Sequence, residues 1–254
     1  MVRYIREDLN MKEIVSVIMP AYNAEKTIKL SIDSVLRQSF VDFKLYIIND
    51  ASSDGTEKIV KEFDDPRIVY LKNEQNVGVA QARNKGLELC KGTYISFLDS
   101  DDIWYYNKLE RQIHYLSNGV DIVCSYYETF LDSADDVVTI RRSPENITFN
   151  MMLKSNYIGN LTGIYNAEKL GKVYQENIGH EDYVMWLELM KYSSGCYCIK
   201  EALAKYRLSN NSLSGNKFRA ILWQWHIYRK SLSFNLLKSL YYFTHYIING
   251  ISKR

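Results

Sequence analysis

The sequence predicts an α/β fold: a sheet covered by helices on both faces, followed by a helical, basic and aromatic C-terminal appendage. Apolar strands alternate with amphipathic helices through the first half, and two of those strands run directly into aspartates, Asp50 and Asp99. Beyond Glu201 there is no acidic residue, while residues 217 to 254 hold nine aromatics. Repeated strand–helix–strand units of this length argue for a mostly parallel sheet. In such sheets ligands bind outside the carboxyl ends of the strands.

In chain order, Ile14–Met19 reads as a strand closed by Pro20, and Asn23 as the cap of a helix with Ile28, Ile32, Val35 and Leu36 on its apolar face. Lys44–Asn49 is a second strand ending on Asp50. Asp54 and Glu57 form a capping-box pattern for a helix ending near Phe63, and Ile68–Leu71 is a short third strand. A helix from Gly78 to Cys90 leads into the strand Thr93–Leu98. A helix with Leu109, Ile113 and Leu116 inward follows, then the strand Val120–Tyr126. The polar segment Asp132–Glu145 reads as an irregular loop. Further elements are a strand at Leu161–Tyr165, a helix Asp182–Tyr192, a strand Tyr197–Arg207, and helix from Lys217 onward, broken near Gly250.

Composition narrows the class. With 254 residues, 46% hydrophobic and 24% charged, the chain can bury a full core as one large domain or one domain plus an appendage. The net charge of +2 combines +9 after Glu201 with −7 on the first 201 residues, so an anionic surface suits the tail. Cys90, Cys124, Cys196 and Cys198 lack framework or metal-site spacing and read as buried thiols. The stretch MVRYIREDLN has no apolar signal-peptide core, and the longest uncharged run, Ser239–Ser252, has 14 residues, too few to span a bilayer. The expected location is the cytoplasm, peripheral on the inner face of the membrane.

The stretch 93-TYISFLDSDDIWY-105 carries the chemistry. Asp99, Asp101 and Asp102 repel one another at the end of an apolar strand and call for a compensating positive charge. Mg²⁺ commonly takes one or two carboxylates plus substrate phosphates. Asp99 and Asp101, separated by the small Ser100, fit that role; a tight turn with Asp102 capping the next helix is the structural alternative.

The segments 15-VSVIMPAYNAEKTI-28, 46-YIINDASSDGT-56, 76-NVGVAQARNKGL-87 and 94-YISFLDSDD-102 occur in an order and spacing that resembles family 2 glycosyltransferases. The resemblance covers roughly residues 13 to 210. It implies a GT-A-type, Rossmann-like sheet and a nucleotide-diphosphate sugar donor. On that likeness Pro20, Ala21, Tyr22, Asn23 and Asp50 line the nucleoside pocket, Arg83 lies beside the nucleotide, Asp99 and Ser100 near the ribose, and Asp101 with Asp99 holds Mn²⁺ or Mg²⁺ on the diphosphate. The stretch 178-IGHEDYVMWLELM-190 resembles the family's catalytic element, with Asp182 as general base and Glu181 in support; two acids favoured by a helix N-terminus are the plain reading. Tyr206 and Arg207 match a Tyr-Arg-x-His pattern of the family, which implies that Arg207 reaches the donor phosphate, but Ser209 stands where the His belongs, and the following Ser/Asn/Gly-rich loop is a candidate lid.

The implied division is a catalytic domain over residues 1–216, with a nucleotide-sugar half at about 13–130 and an acceptor half at about 131–216, and a tail over 217–254. The implied reaction is inverting transfer of a hexose from UDP-glucose or UDP-galactose, with UDP-N-acetylhexosamines next, to a polyprenyl-diphosphate-linked sugar in O-antigen or capsule assembly. The tail suits an anionic membrane surface, or packs on the domain as an ordinary helix; nucleic acid is not an expected partner. An inactive adaptor or a nucleotidyltransferase are the competing classes. The latter normally shows a Gly-rich basic loop where 20-PAYNAEKT-27 stands, and a dehydrogenase lacks its Gly-x-Gly-x-x-Gly.

Overall fold

A computed structural model describes residues 13–208 and 217–252. Strand β1 (Val15–Ala21) is the centre of the first half. It pairs in parallel with β2 (Phe43–Asn49) and β4 (Tyr94–Phe97), and β2 pairs in parallel with β3 (Ile68–Lys72). The second half is mixed. β6 (Ile122–Phe130) and β10 (Cys196–Arg207) run parallel to each other, but β9 (Ile164–Asn166) enters antiparallel between β4 and β6. The order is β3-β2-β1-β4-β9-β6-β10-β5, where β5 (Ile103–Trp104) is a short antiparallel edge; β8 (Asn146–Ile147) pairs antiparallel with β10, and α6 (Ala167–Leu170) follows β9.

The expected mostly parallel sheet is therefore parallel only in the first half. Two antiparallel steps through β9 still leave β6 and β10 pointing the same way as β4. Strands β1, β2, β3, β4, β6 and β10 thus end at one rim, which carries Asn23, Asp50, Asp99, Phe130 and Arg207.

Apolar side chains alternate across the sheet because strand side chains point to opposite faces. Ile18, Tyr46 and Ile48 meet α3 (Val79–Leu89) and α7 (Glu181–Tyr192) on one face. Val17, Met19, Leu45 and Ile47 meet α1 (Ile28–Leu36) and α4 (Lys108–Ser117) on the other.

Several expected details change. Asn23 does not cap α1; it sits in the left-handed region (φ 48°), and the helix starts at Ile28, after Thr27. The Asp54–Glu57 capping box does not form. Asp54 accepts from Thr56 N–H at 3.0 Å, while Glu57 pairs with Lys61 and Lys72. Gly55 N–H goes instead to Glu25 at 2.8 Å, so a residue of the β1 loop completes the start of α2 (Thr56–Lys61).

The Asp132–Glu145 segment is not wholly irregular, since β7 (Val137–Arg141) forms a hairpin with β6. The strand expected at Leu161–Tyr165 splits into a 3-10 turn, Asn160–Thr162, and β9. All four cysteines are buried free thiols.

At the C-terminus, α8 (Lys217–His226) continues into a π-helical turn, Ile227–Ser231, and then α9 (Leu236–Ser252). The break falls at residues 232–235, where Asn235 Oδ1 accepts Lys238 N–H at 2.9 Å; Gly250 lies inside α9. Ile227 joins the first-face core, and Tyr228 OH donates to Leu153 O at 2.6 Å at the end of α5 (Phe149–Lys154). Among the described residues, no helix is long and apolar enough to cross a membrane.

Candidate active site

The loops leaving β1 and β2 are stitched into one surface. Asn23 N–H donates to Ser52 Oγ at 3.0 Å, and Ser53 N–H returns to Asn23 Oδ1 at 2.9 Å. Asn23's left-handed backbone aims it across this gap; Asn tolerates that conformation better than most residues. Pro20 and Ala21 are buried in the end of β1, while Tyr22 is 52% exposed at the rim.

Asp50 is more committed to the fold than its place at a strand end predicts. Its buried carboxylate accepts Asn73 Nδ2 at 2.8 Å and Val77 N–H at 3.0 Å on one oxygen, and Gly78 N–H at 2.8 Å on the other. Gly78 adopts φ 89°, a conformation that glycine takes without strain, and this turns its N–H toward Asp50 at the start of α3. A carboxylate offers about four acceptor sites. One therefore remains for a ligand N–H.

Arg83 answers the question raised by the three aspartates. It is 5% exposed and donates to Asp99 Oδ1 at 2.6 Å and to Gln175 Oε1 at 3.2 Å. Burial opposes its charge, yet Asp99, then Asp182 and Glu181, hold the guanidinium above its ordinary range. One arginine thus feels both the acids after β4 and the acid pair at the start of α7. Gln175, which accepts from Arg83, also donates to Met185 Sδ at 3.3 Å, so α3 and α7 share a partner.

The acids after β4 are not equivalent. Burial, then the neighbouring Asp99 charge, raises Asp101 to about 6. Asp102 is buried and raised well above the carboxylate range by burial and by Asp101 and Asp99. It accepts Arg207 N–H at 2.9 Å, so it joins β10 to the rim and does not cap α4, which begins after Asn107. Arg207 lies over the Phe130 ring at 4.5 Å and donates to the Asp101, Leu131 and Asp132 carbonyls, each at 3.1 Å. Its expected reach to phosphate competes with these bonds. Ser209 and the candidate lid lie outside the described residues.

Among the described residues, no three His, Cys, Asp or Glu side chains are arranged to enclose a metal ion. The donor set nevertheless fits a hard divalent cation whose remaining ligands come from substrate phosphates. Asp99 and the half-buried Asp101 flank Ser100, and a cation would offset both the burial and the Asp99 charge that raise Asp101.

The start of α7 is built on two left-handed residues, Gly179 (φ 76°) and His180 (φ 54°). A Cβ on Gly179 would come within 2.3 Å of the Trp223 ring, and the His180 ring meets the same indole edge-on at 5.3 Å. An α8 residue therefore seats the turn that presents Glu181 and Asp182.

The sequence reading missed Gln175, Asn84, Tyr127 and Asn160. Gln175 exchanges backbone bonds with the Asn84 side chain at 2.7 and 2.8 Å, tying the approach to α7 onto α3. Tyr127 is raised mainly by burial, which Arg141 opposes and Asp102 and Asp182 reinforce. Only Asn84 falls in a motif segment; the others are isolated polar residues without local signal.

A sheet with carboxylates at one rim and helices on both faces, extended by a C-terminal helical region rich in basic and aromatic residues, defines a GT-A-like fold. The solved structures agree: S. aureus TarS in complex with UDP-GlcNAc superposes with a TM-score of 0.70 at 18% identity, covering 92% of this chain and 71% of that one. A Pyrobaculum calidifontis mannosyltransferase with GDP-Man and Mn²⁺ gives 0.66 at 16% identity, over 87% and 64%. The model of glycosyl transferase family 2 matches residues 16–181, and the chain belongs to that family. Among curated relatives, the Escherichia coli UDP-Glc:alpha-D-GlcNAc-diphosphoundecaprenol beta-1,3-glucosyltransferase WfgD is 40% identical over 247 residues, 94% of each chain. The putative teichuronic acid biosynthesis glycosyltransferase TuaG of Bacillus subtilis is 36% identical over 252 residues, covering 96% of this chain and 99% of TuaG.

Proposed function

We propose that the chain is a metal-dependent, inverting hexosyltransferase. It moves glucose or galactose from a UDP-sugar to a hydroxyl of a polyprenyl-diphosphate-linked sugar during cell-surface polysaccharide assembly. The observation that carries the reading is the Arg83–Asp99 ion pair at the end of β4, tied through Gln175 to Met185 of α7, the helix that opens with Glu181 and Asp182. Its chemical class is supported by family membership and by the donor and acceptor printed in WfgD's name.

In this reading Pro20, Ala21, Tyr22, Asn23 and Asp50 form the nucleoside wall. Asp101 and Asp99 hold Mn²⁺ or Mg²⁺, which when bound offsets charge on the departing diphosphate. Arg83 orients Asp99 and adds positive charge beside the nucleotide. Asp182 takes the proton from the acceptor hydroxyl as that oxygen attacks the anomeric carbon. Glu181, next to it, orients the acceptor. One displacement inverts the centre, so an α-linked donor gives a β-glycoside. Residues 1–216 constitute the catalytic domain and 217–254 a tail that meets an anionic membrane surface, which places the enzyme on the inner face of the membrane.

The test compares Asp101→Ala with Asp182→Asn by calorimetric titration with UDP-glucose and UDP-galactose, each with Mn²⁺ and with EDTA, alongside turnover. Both substitutions abolish transfer. The first also weakens Mn²⁺-dependent nucleotide binding, and the second leaves it intact. Near-normal turnover by Asp182→Asn removes the base assignment. Absence of binding by the folded wild type favours an adaptor.

A further inference from the structure

Asn160 stands out among the polar side chains that the mechanism leaves unused. Both carboxamide atoms, Nδ2 and Oδ1, are shielded from solvent, and neither has a hydrogen-bond partner among the described residues. A carboxamide left this way forfeits about 1–3 kcal/mol per group, so an unliganded protein gains nothing from it. Trp104 Nε1–H donates to Leu161 O at 2.8 Å, and Thr162 Oγ1 and N–H donate to Gly159 O at 2.7 and 2.8 Å. The turn carrying Asn160 is therefore firmly held.

Its position follows from register. β9 pairs with β4 at Ile164↔Ser96 and with β6 at Ile164↔Val123, and Ser96 Oγ donates to Gly163 O at 2.7 Å. The Asn160–Thr162 turn precedes β9 and so lies at the end of the sheet where β4 and β6 run out. A Cβ on Gly159 would fall 2.9 Å from Tyr127 Cε1, which places this turn against that ring. The turn that carries Asn160 thus lies at the rim against Tyr127, beside the end of β4 that leads into Asp99.

A sugar in transit has to lie between the diphosphate end of the site and the base. We propose that Asn160 is a specificity-determining residue whose carboxamide hydrogen-bonds the hydroxyls of the transferred hexose once the side chains that now shield it turn aside as the donor binds. Asn suits the task because it offers donor and acceptor from one planar group without adding charge beside the acids. A site built to bond a hydroxyl discriminates strongly against an analogue that cannot supply it. The inference rests on the hexosyltransferase reading above.

The experiment is calorimetric titration of wild type, Asn160→Leu and Asn160→Asp with UDP, UDP-glucose and UDP-galactose in Mn²⁺, with thermal unfolding of each variant. UDP lacks the sugar, so its affinity stays within about twofold of wild type in both variants. The preferred UDP-hexose loses about tenfold or more, and the ratio of kcat/KM between the two hexoses collapses toward one. Unchanged UDP-hexose affinity and unchanged ratio in a folded variant overturn the inference, as does an equal loss for UDP and UDP-hexose, which marks a structural role. Should Asn160→Leu fail to fold, Asn160→Asp decides the matter. If wild type itself binds neither UDP nor a UDP-hexose, the hexosyltransferase reading fails first and this one falls with it.

Discussion

Replacing Asp50 by Asn separates the part it plays in the fold from any part it plays in binding. The carboxylate accepts three hydrogen bonds, from Asn73 Nδ2, Val77 N–H and Gly78 N–H, at 2.8 to 3.0 Å. With Asn, the single remaining carbonyl oxygen keeps the Asn73 and Val77 bonds only if the new amide faces Gly78 N–H, donor against donor. A charge-assisted bond is worth about 1.5–3 kcal/mol net, and the two survivors lose their charge assistance. Asp50→Asn therefore costs about 3 kcal/mol. For a chain of this size that is a fall of roughly 6–12 °C in melting temperature, at 2–4 °C per kcal/mol. The assay is thermal and urea unfolding without nucleotide, with hydrogen exchange at residues 73–82 as a local readout. Exchange accelerates there, because the loop that starts α3 loses its anchor, and UDP affinity falls as a consequence. An unchanged melting temperature together with lost UDP binding refutes the reasoning, since the carboxylate would then act on the ligand alone.

Two further outcomes follow from buried and exposed groups. Lys108 is fully buried, with Nζ 2.7 Å from Gln112 Oε1 and 3.8 Å above the Trp104 ring, and burial pulls it well below the usual lysine range. The unfolded chain then holds the extra proton up to about pH 10.4, so the lysine's contribution to stability rises with pH by about 1.4 kcal/mol per unit in that window. Lys108→Met removes that slope and is the more stable protein at neutral pH; a pH-independent difference in urea unfolding means Lys108 keeps its proton when folded.

Leu237 and Leu240 are 79% and 45% exposed on α9, beside Lys238, in a tail without acids. Leu237→Glu and Leu240→Glu leave stability within about 0.5 kcal/mol and lower co-sedimentation with anionic liposomes about tenfold each. Unchanged co-sedimentation makes α9 a packing helix only. Deleting the whole tail is a poor test, because Ile227 and Tyr228 are part of the core.

Much of the fold was legible because the first half is written in clean periods. Strands such as Lys44–Asn49 and helices such as Lys108–Ser117 follow from the spacing of their apolar residues. The β7 hairpin was not legible: Val137–Arg141 is exposed along its whole length, so no buried face imposes an alternation. The antiparallel insertion of β9 was hidden because three residues carry no direction. Capping patterns misled where other partners won, as when Glu57 paired with Lys61 and Lys72 and Glu25 took the Gly55 N–H at the start of α2.

The acid positions were readable because three aspartates at a strand end are unusual locally. Their compensation by Arg83, and its support by Gln175 from 92 positions away, is a tertiary fact with no trace in either local stretch. Asn160 escaped for the same reason.

The most direct measurement is an anomeric assignment of product. The purified chain is incubated with UDP-glucose or UDP-galactose, Mn²⁺ and a synthetic GlcNAc-diphosphate lipid, and the product is examined by proton NMR. The predicted result is a β-linked hexose formed by wild type and absent with Asp182→Asn. An α-linked product, or a β-linked product formed equally well without the Asp182 carboxylate, contradicts single displacement with Asp182 as base.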